Sequence, residues 1–369
     1  MDRGERYRYI NVARGIAIIC VVAGHAQFPE YVWRVVSFFH VPIFFFVSGY
    51  FYKESYSHEP LILIRKRLRS LYLPFIGYQF FFLLFHNMLF SCHLYSRTIP
   101  ITGEYVKYYG PADFVYAIGN ILTFGCTQQI IAGFWFLQSL FTVAMIFLLI
   151  SWLTVKKFGS NEGFRAVMVL STFLAGVALA KYGVSLPRAA VSSLVCIVFF
   201  YAGFLYHRKE DVVPTNMTGF LCAVLVLGAS ILLYNEHVGF ANHEFVRFPY
   251  FVVNALLGIY AVFYLSKLVA ARFACSTLAF VGANSLHILA LHTLCFKLVA
   301  YSQILLLKYP IEWLGVYPVI DSSRGWWIAY TAVGVGLPAL LCYVTRHGRE
   351  SLVRVFLGRS PDGLAHPSP

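Results

Sequence analysis

Charge is what this sequence has least of. Asp, Glu, Lys and Arg together make up 12% of its residues, where an ordinary soluble domain carries about 25%. The shortage is uneven, with 16 acidic residues against 29 Lys and Arg. A charged side chain at a bilayer centre costs on the order of 2.5–3.5 kcal/mol on insertion scales. A chain depleted in this way suits lipid. No stretch is polar enough and long enough for an appended soluble catalytic domain, so residues 1–369 are expected to form a single membrane domain. Any chemistry then sits within the bilayer or at its edge.

Other shortages exclude further classes. The eight cysteines include no CxxC or comparable pair, and His287 and His292, five residues apart, do not share the i, i+4 face of a two-His site. No metal is therefore expected. Cys92 and Cys126 flank one polar loop and could pair if that loop is extracytoplasmic. No internal repeat is visible, so the inverted-repeat signature of many transporters is missing. The net charge of +13 raises the question of nucleic acid. The cations cluster between apolar runs, however, and no basic stripe carries base-stacking aromatics, so nucleic acid is not an expected partner.

What is abundant is apolar surface, at 59% of residues. A membrane span needs about 20 mostly apolar residues. Ten segments qualify: Ile10–Gln27, Val35–Tyr52, Leu71–Phe90, Phe134–Val155, Ala166–Lys181, Ala189–Tyr206, Gly219–Tyr234, Phe248–Ser266, Leu278–Ala300 and Trp326–Val344. The run Phe114–Phe124 is too short and suits an interfacial or re-entrant position. Met1 to Arg8 is basic and Ile10 to Val22 apolar, as in a signal peptide. Gly24-His25 and the aromatics beyond are unlike a small-residue cleavage site, which favours a retained helix. With the N-terminus inside, 19 Lys and Arg fall in inside segments and 8 in outside ones. That asymmetry obeys the positive-inside rule and places both termini in the cytoplasm. The expected fold is all-α, a polytopic bundle of about ten transmembrane helices with membrane lipids around it.

Ionisable residues inside spans are the first candidates for function. Arg14 and His25 are 11 residues apart in the first span, nearly on one helical face and separated by a rise of about 16 Å. A cation toward one side and an imidazole toward the other suit a site that holds an anionic donor and takes a proton from an acceptor. Alternatively, Arg14 snorkels to headgroups and His25 sits at the interface. In the second span, Pro42 frees a backbone carbonyl, Ser48-Gly49 permits close helix approach, and His40 is either a site residue or a core histidine bonded to that carbonyl. Arg65, Lys66, Arg67 and Arg69 then crowd one boundary. Such a cluster can set topology, bind lipid phosphates or bind the phosphates of a nucleotide-bearing donor.

Together, the Arg14–His25 spacing, the segment Phe39-His40-Val41-Pro42-Ile43-Phe44-Phe45-Phe46-Val47-Ser48-Gly49-Tyr50, the basic cluster and Leu73-Pro74 resemble the acyltransferase-3 family of integral membrane acyltransferases. The FHVPIFFFVSGY form is most similar to its fucose 4-O-acetylase-like branch. Trp135-Phe136-Leu137 and Asn284-Ser285-Leu286-His287 with His292 agree with it. The specific motifs lie mainly in residues 9–74. The resemblance implies acyl transfer, usually acetyl, from acyl-coenzyme A as co-substrate to a hydroxyl on a glycan or lipid-linked sugar, in a bacterial inner (cytoplasmic) membrane. It implies essential roles for Arg14 and His25 and a donor site at Arg65, Arg67 and Arg69. On this reading, His25 acts as base or covalent acyl relay. His40, Trp135, Ser285 and His292 are expected to contact substrate. Many relatives carry Asp where this chain has Asn11, so either Asn11 serves by hydrogen bonding or an acid comes from Glu104, Asp113, Glu244 or Asp321. The competing reading is a transporter or flippase for a small polar or lipid-linked sugar.

Overall fold

A computed structural model describes residues 3–97, 106–234, 238–241, 245, 248–272 and 275–357. The regular elements among the described residues are all helices, with no strand. Helix α1 (Arg3–His25) is followed by α2 (Glu30–Val36), α3 (Pro42–Tyr50), α4 (Ser55–His58), α5 (Pro60–Arg67), α6 (Leu73–Leu84), α7 (His86–Ser91) and α8 (Pro111–Leu122). The second half holds α9 (Trp135–Phe158), α10 (Glu162–Lys181), α11 (Ala190–Lys209), α12 (Met217–Tyr234), α13 (Tyr250–Arg272), α14 (Ser276–Ala283), α15 (Ser285–Leu307) and α16 (Trp326–Leu357).

Among the described residues, seven helical segments are long and apolar enough to cross a membrane: Gly4–His25, Gln129–Phe158, Glu162–Lys181, Ala190–Lys209, Tyr250–Arg272, Ser285–Leu307 and Ser323–His347. Four expected spans differ. The second is broken: α2 ends at Val36, a turn follows, and α3 begins with Pro42 in its first turn, because proline cannot donate the helical hydrogen bond and fits that position. The third starts earlier, as α5 runs through a π-helical turn, Leu68–Tyr72, into α6, and then breaks at Phe85. The seventh is a shorter apolar helix. The ninth is kinked at Asn284, whose side-chain amide donates to the Phe280 carbonyl. Helix α8 has 12 residues, about 18 Å, too short to span.

Outward faces are apolar: Leu84, Leu232 and Leu233 are at least three-quarters exposed. In water such faces would be unfavourable; lipid covers them. Inside are two aromatic-rich cores. Tyr9, Ile10, Ala13 and Ala17 of α1 belong to one, and Ile18, Val21, Val22 and Ala26 to the other. Helix α1 is therefore the shared pillar, and the site is built along it.

At the Arg3 end of that pillar, Glu210 binds four elements together. Its carboxylate accepts hydrogen bonds from Tyr9 and Tyr50, both at 2.5 Å, and pairs with Lys267 at 3.1 Å. Burial alone would raise the Glu210 carboxyl, but the hydrogen bonds from Tyr50, Tyr9 and Lys267 outweigh it and hold it below its ordinary value. A depressed carboxyl contributes stability above its unfolded value, about 4.3, which is lost as pH falls through the folded value. Glu210→Gln is expected to lower the melting temperature at neutral pH. The gap from wild type should close as pH drops below about 4; a gap independent of pH would exclude this account.

Candidate active site

One cavity of about 1140 Å³ runs alongside α1. Its α1 wall consists of Tyr7, Asn11, Arg14, Ile18, Val21, Gly24 and His25. These recur every three or four positions up to Gly24 and His25, both within one turn of Val21, which is a single helical stripe. The expected shared face of Arg14 and His25 is thus the face that lines the cavity. Helix α3 and the turn before it add His40, Val41, Phe44, Val47 and Ser48.

Helix α5 and its π turn add Leu63, Lys66, Arg67 and Ser70. At about 100° per residue these four form one stripe, whereas Arg65 and Arg69 fall nearly opposite Arg67. The basic cluster is split accordingly. Arg67 reaches the cavity and donates to Ser48 Oγ at 2.7 Å, while Arg65 and Arg69 are exposed and do not line it. Lys66, the fourth cation of the cluster, does line it.

The cationic end of the cavity is also lined by Tyr7, stacked on Phe51 at 5.3 Å, and by Tyr56. Above it, Arg14 donates to Ser285 Oγ at 2.9 Å and to Asn11 Oδ1 at 3.3 Å. Asn11 therefore stands in the acid's place as a neutral acceptor. Among the described lining residues there is no Asp or Glu. Asp113 is instead tied to Lys107 at 2.7 Å and Asp321 to Ser323, neither on the cavity wall; Glu104 and Glu244 lie outside the described residues. Three cations thus face one cavity with only neutral partners shown for Arg14 and Arg67. A buried cation without a counterion is costly, and an anionic ligand would offset that cost.

At the other end, His25 and His40 line the wall with Gln27, Trp33 and Tyr317. His40 Nδ1 lies 2.9 Å from the Val36 carbonyl, which also accepts the His40 backbone N–H at 3.1 Å; His40 is at once a wall residue and bonded to a carbonyl one turn back, which is not one freed by Pro42. His25 Nδ1 lies 3.2 Å from His292 Nε2. His292 does not reach the cavity. It is 1% exposed and stands behind His25, with its own Nδ1 2.9 Å from the Leu289 carbonyl. Trp135 and Ser285 are on the wall, whereas His287 faces outward and contacts Tyr78 at 2.8 Å. Cys92 and Cys126 carry free thiols. No cluster of metal-ligating side chains occurs among the described residues.

A family model described as an acyltransferase domain, of the acyltransferase-3 type, matches residues 7–346. Comparison with the curated proteins and with the solved structures gave no match. The matched region holds the cavity and every residue on its wall. With its apolar helices, the chain is an integral membrane enzyme that transfers acyl groups other than aminoacyl groups, and it belongs to the acyltransferase-3 family.

Proposed function

We propose that the chain is an O-acyltransferase, with acetyl as the expected group, moving it from acyl-coenzyme A to a hydroxyl of a carbohydrate or lipid-linked glycan. The observation that supports this is a single cavity joining an imidazole, His25, to three cations, Arg14, Lys66 and Arg67. The spacing matches the donor. Arg14 and His25 are 11 residues apart, a rise of about 16 Å. In coenzyme A about 14 covalent bonds separate the diphosphate from the thioester carbonyl. An extended chain advances about 1.1–1.2 Å per bond, so that arm reaches about 16 Å. Phosphates held by Arg14, Lys66 and Arg67 would place the thioester beside His25. Arg65 and Arg69, exposed next to this end, suit capture of donor or lipid phosphate rather than the bound state.

The chemistry then follows. His25 Nε2 takes the proton of the acceptor hydroxyl while that oxygen attacks the thioester carbonyl. The carbon–sulfur bond breaks, and the departing thiolate takes the proton back from the imidazolium. The alternative covalent route would place the acyl group on His25 Nε2 first. His40, Trp135 and Ser285, on the same wall, are assigned to substrate contact. The fucose 4-O-acetylase-like form of residues 39–50, a ten-crossing path with both termini cytoplasmic and a bacterial inner membrane complete the reading.

The test uses purified protein and acetyl-coenzyme A. Coenzyme A should raise its melting temperature, and thiol release should require a glycan acceptor, with the acetyl ester found by mass spectrometry. Arg14→Met and Arg67→Met should each raise KM for acetyl-coenzyme A about 10–100-fold, the range for losing a charge-assisted hydrogen bond. Unchanged KM in both would remove the donor site. Solute counterflow without thiol release would assign transport instead.

A further inference from the structure

The hydrogen-bond partners around His292 leave little freedom about where the protons sit. Its Nδ1 faces two carbonyl oxygens, Leu289 at 2.9 Å and Ile288 at 3.2 Å. A carbonyl only accepts, so Nδ1 carries the hydrogen. In the neutral ring Nε2 then has the lone pair. That lone pair faces His25 Nδ1 at 3.2 Å, so His25 Nδ1 must be the N–H and His25 Nε2 the bare nitrogen. A Cβ built on Gly133, another wall residue, would lie 4.0 Å from His25 Cε1. With Nδ1 taken by His292, Nε2 is the ring nitrogen left for the cavity that His25 lines.

We propose that His292 is a positioning residue, which fixes the tautomer and orientation of His25 so that its basic nitrogen points at the acceptor hydroxyl. This rests on the reading of His25 as the base. In many histidine-based sites a carboxylate does this work. Here the described wall has none, and the backbone of α15 acts through a second imidazole. When His25 Nε2 gains the hydroxyl proton, its Nδ1–H donates a charge-assisted bond to His292 Nε2. No proton moves to His292, and it is returned from His25 Nε2 to the leaving sulfur. A neutral orienting group also leaves the cations of the cavity free for the donor, where a carboxylate would compete with it. Packing keeps the second ring in place: His292 is 1% exposed and meets Phe296 edge-on at 5.5 Å.

Two variants and one spectrum test this. His292→Leu keeps bulk but removes the acceptor; His292→Gln restores an acceptor that reaches about as far as Nε2. His292→Leu should lower kcat about 10–100-fold, the range for loss of a group that orients an imidazole, with KM for acetyl-coenzyme A unchanged. His292→Gln should recover most of that loss. Wild-type kcat in His292→Leu, or a His292→Gln no better than His292→Leu, overturns the assignment. Should His292→Leu fail to fold, the ¹⁵N histidine spectrum of the intact protein decides, with the His25 signals identified by their loss in His25→Gln. An unprotonated His25 Nε2 supports the proposal, and a protonated one ends it. Activity retained in His25→Ala would instead defeat the base itself, so the two failures are separable.

Discussion

His25→Ala is expected to lower acyl transfer by about 100–10,000-fold, the range attributed to a positioned general base. The protein should still fold and still bind donor. Two features of the site separate those properties. The cations that would hold the donor are at Arg14 and beyond, about 16 Å along α1, so an alanine at His25 leaves them in place. His25 is only partly buried because one ring edge opens to the cavity, so its removal deepens that cavity rather than creating a void in a sealed core. The expected pattern is a collapsed kcat, a KM for acetyl-coenzyme A near wild type and a coenzyme A-induced rise in melting temperature that survives. If the variant turns over at the wild-type rate, neither the base nor the covalent relay stands. If kcat is preserved and donor binding is lost, the polarity of the cavity has been assigned backwards.

The second large effect concerns the helix contact behind the cavity. Helices α3 and α11 meet through a reciprocal pair: a Cβ on Gly49 would fall on the carbonyl of Phe200, and one on Gly203 on the carbonyl of Phe46. In each case the obstacle is backbone, which cannot rotate aside as a side chain does. Gly49→Ala or Gly203→Ala must push the helices apart, at a cost on the order of 3 kcal/mol, a large share of the roughly 5–15 kcal/mol that holds a typical domain together. Ser48, which binds Arg67, precedes Gly49, so the displacement also spoils the cationic wall. Both variants are expected to aggregate or to melt well below wild type in detergent. Gly77→Ala is the control, because nothing lies within 4 Å of its new Cβ; it should be neutral or slightly stabilising, since alanine restrains the unfolded chain more than glycine. Equal melting temperatures for all three variants would exclude this packing.

Much of the site could be read from residue order, because a helix turns spacing into direction. Arg14 and His25 share the cavity face at the interval that 3.6 residues per turn requires. The same rule, applied to residues 63–70, separates Arg67 and Lys66 from Arg65 and Arg69. Proximity in sequence suggests one cluster there, and periodicity corrects it. The broken second span was also foreshadowed by Pro42, though not where the chain would turn. His292 was another matter. Sequence offers a histidine in an apolar run, and nothing in that run says whether it meets substrate or another side chain.

The sequence by itself determined that this chain lives in lipid, that its fold is helical, and which stripe of the first helix faces the cavity. Those properties follow from composition and local periodicity, since hydrocarbon forbids charge and forces backbone hydrogen bonds to close within each helix. Only the tertiary structure decided that Ser285 receives Arg14 and that His292 stands behind His25, across 267 positions of chain. It also decided that no described acid shares their cavity. Such contacts depend on which helices pack against the pillar and in what register, and side-chain packing across the whole bundle sets that register, beyond the reach of any local pattern.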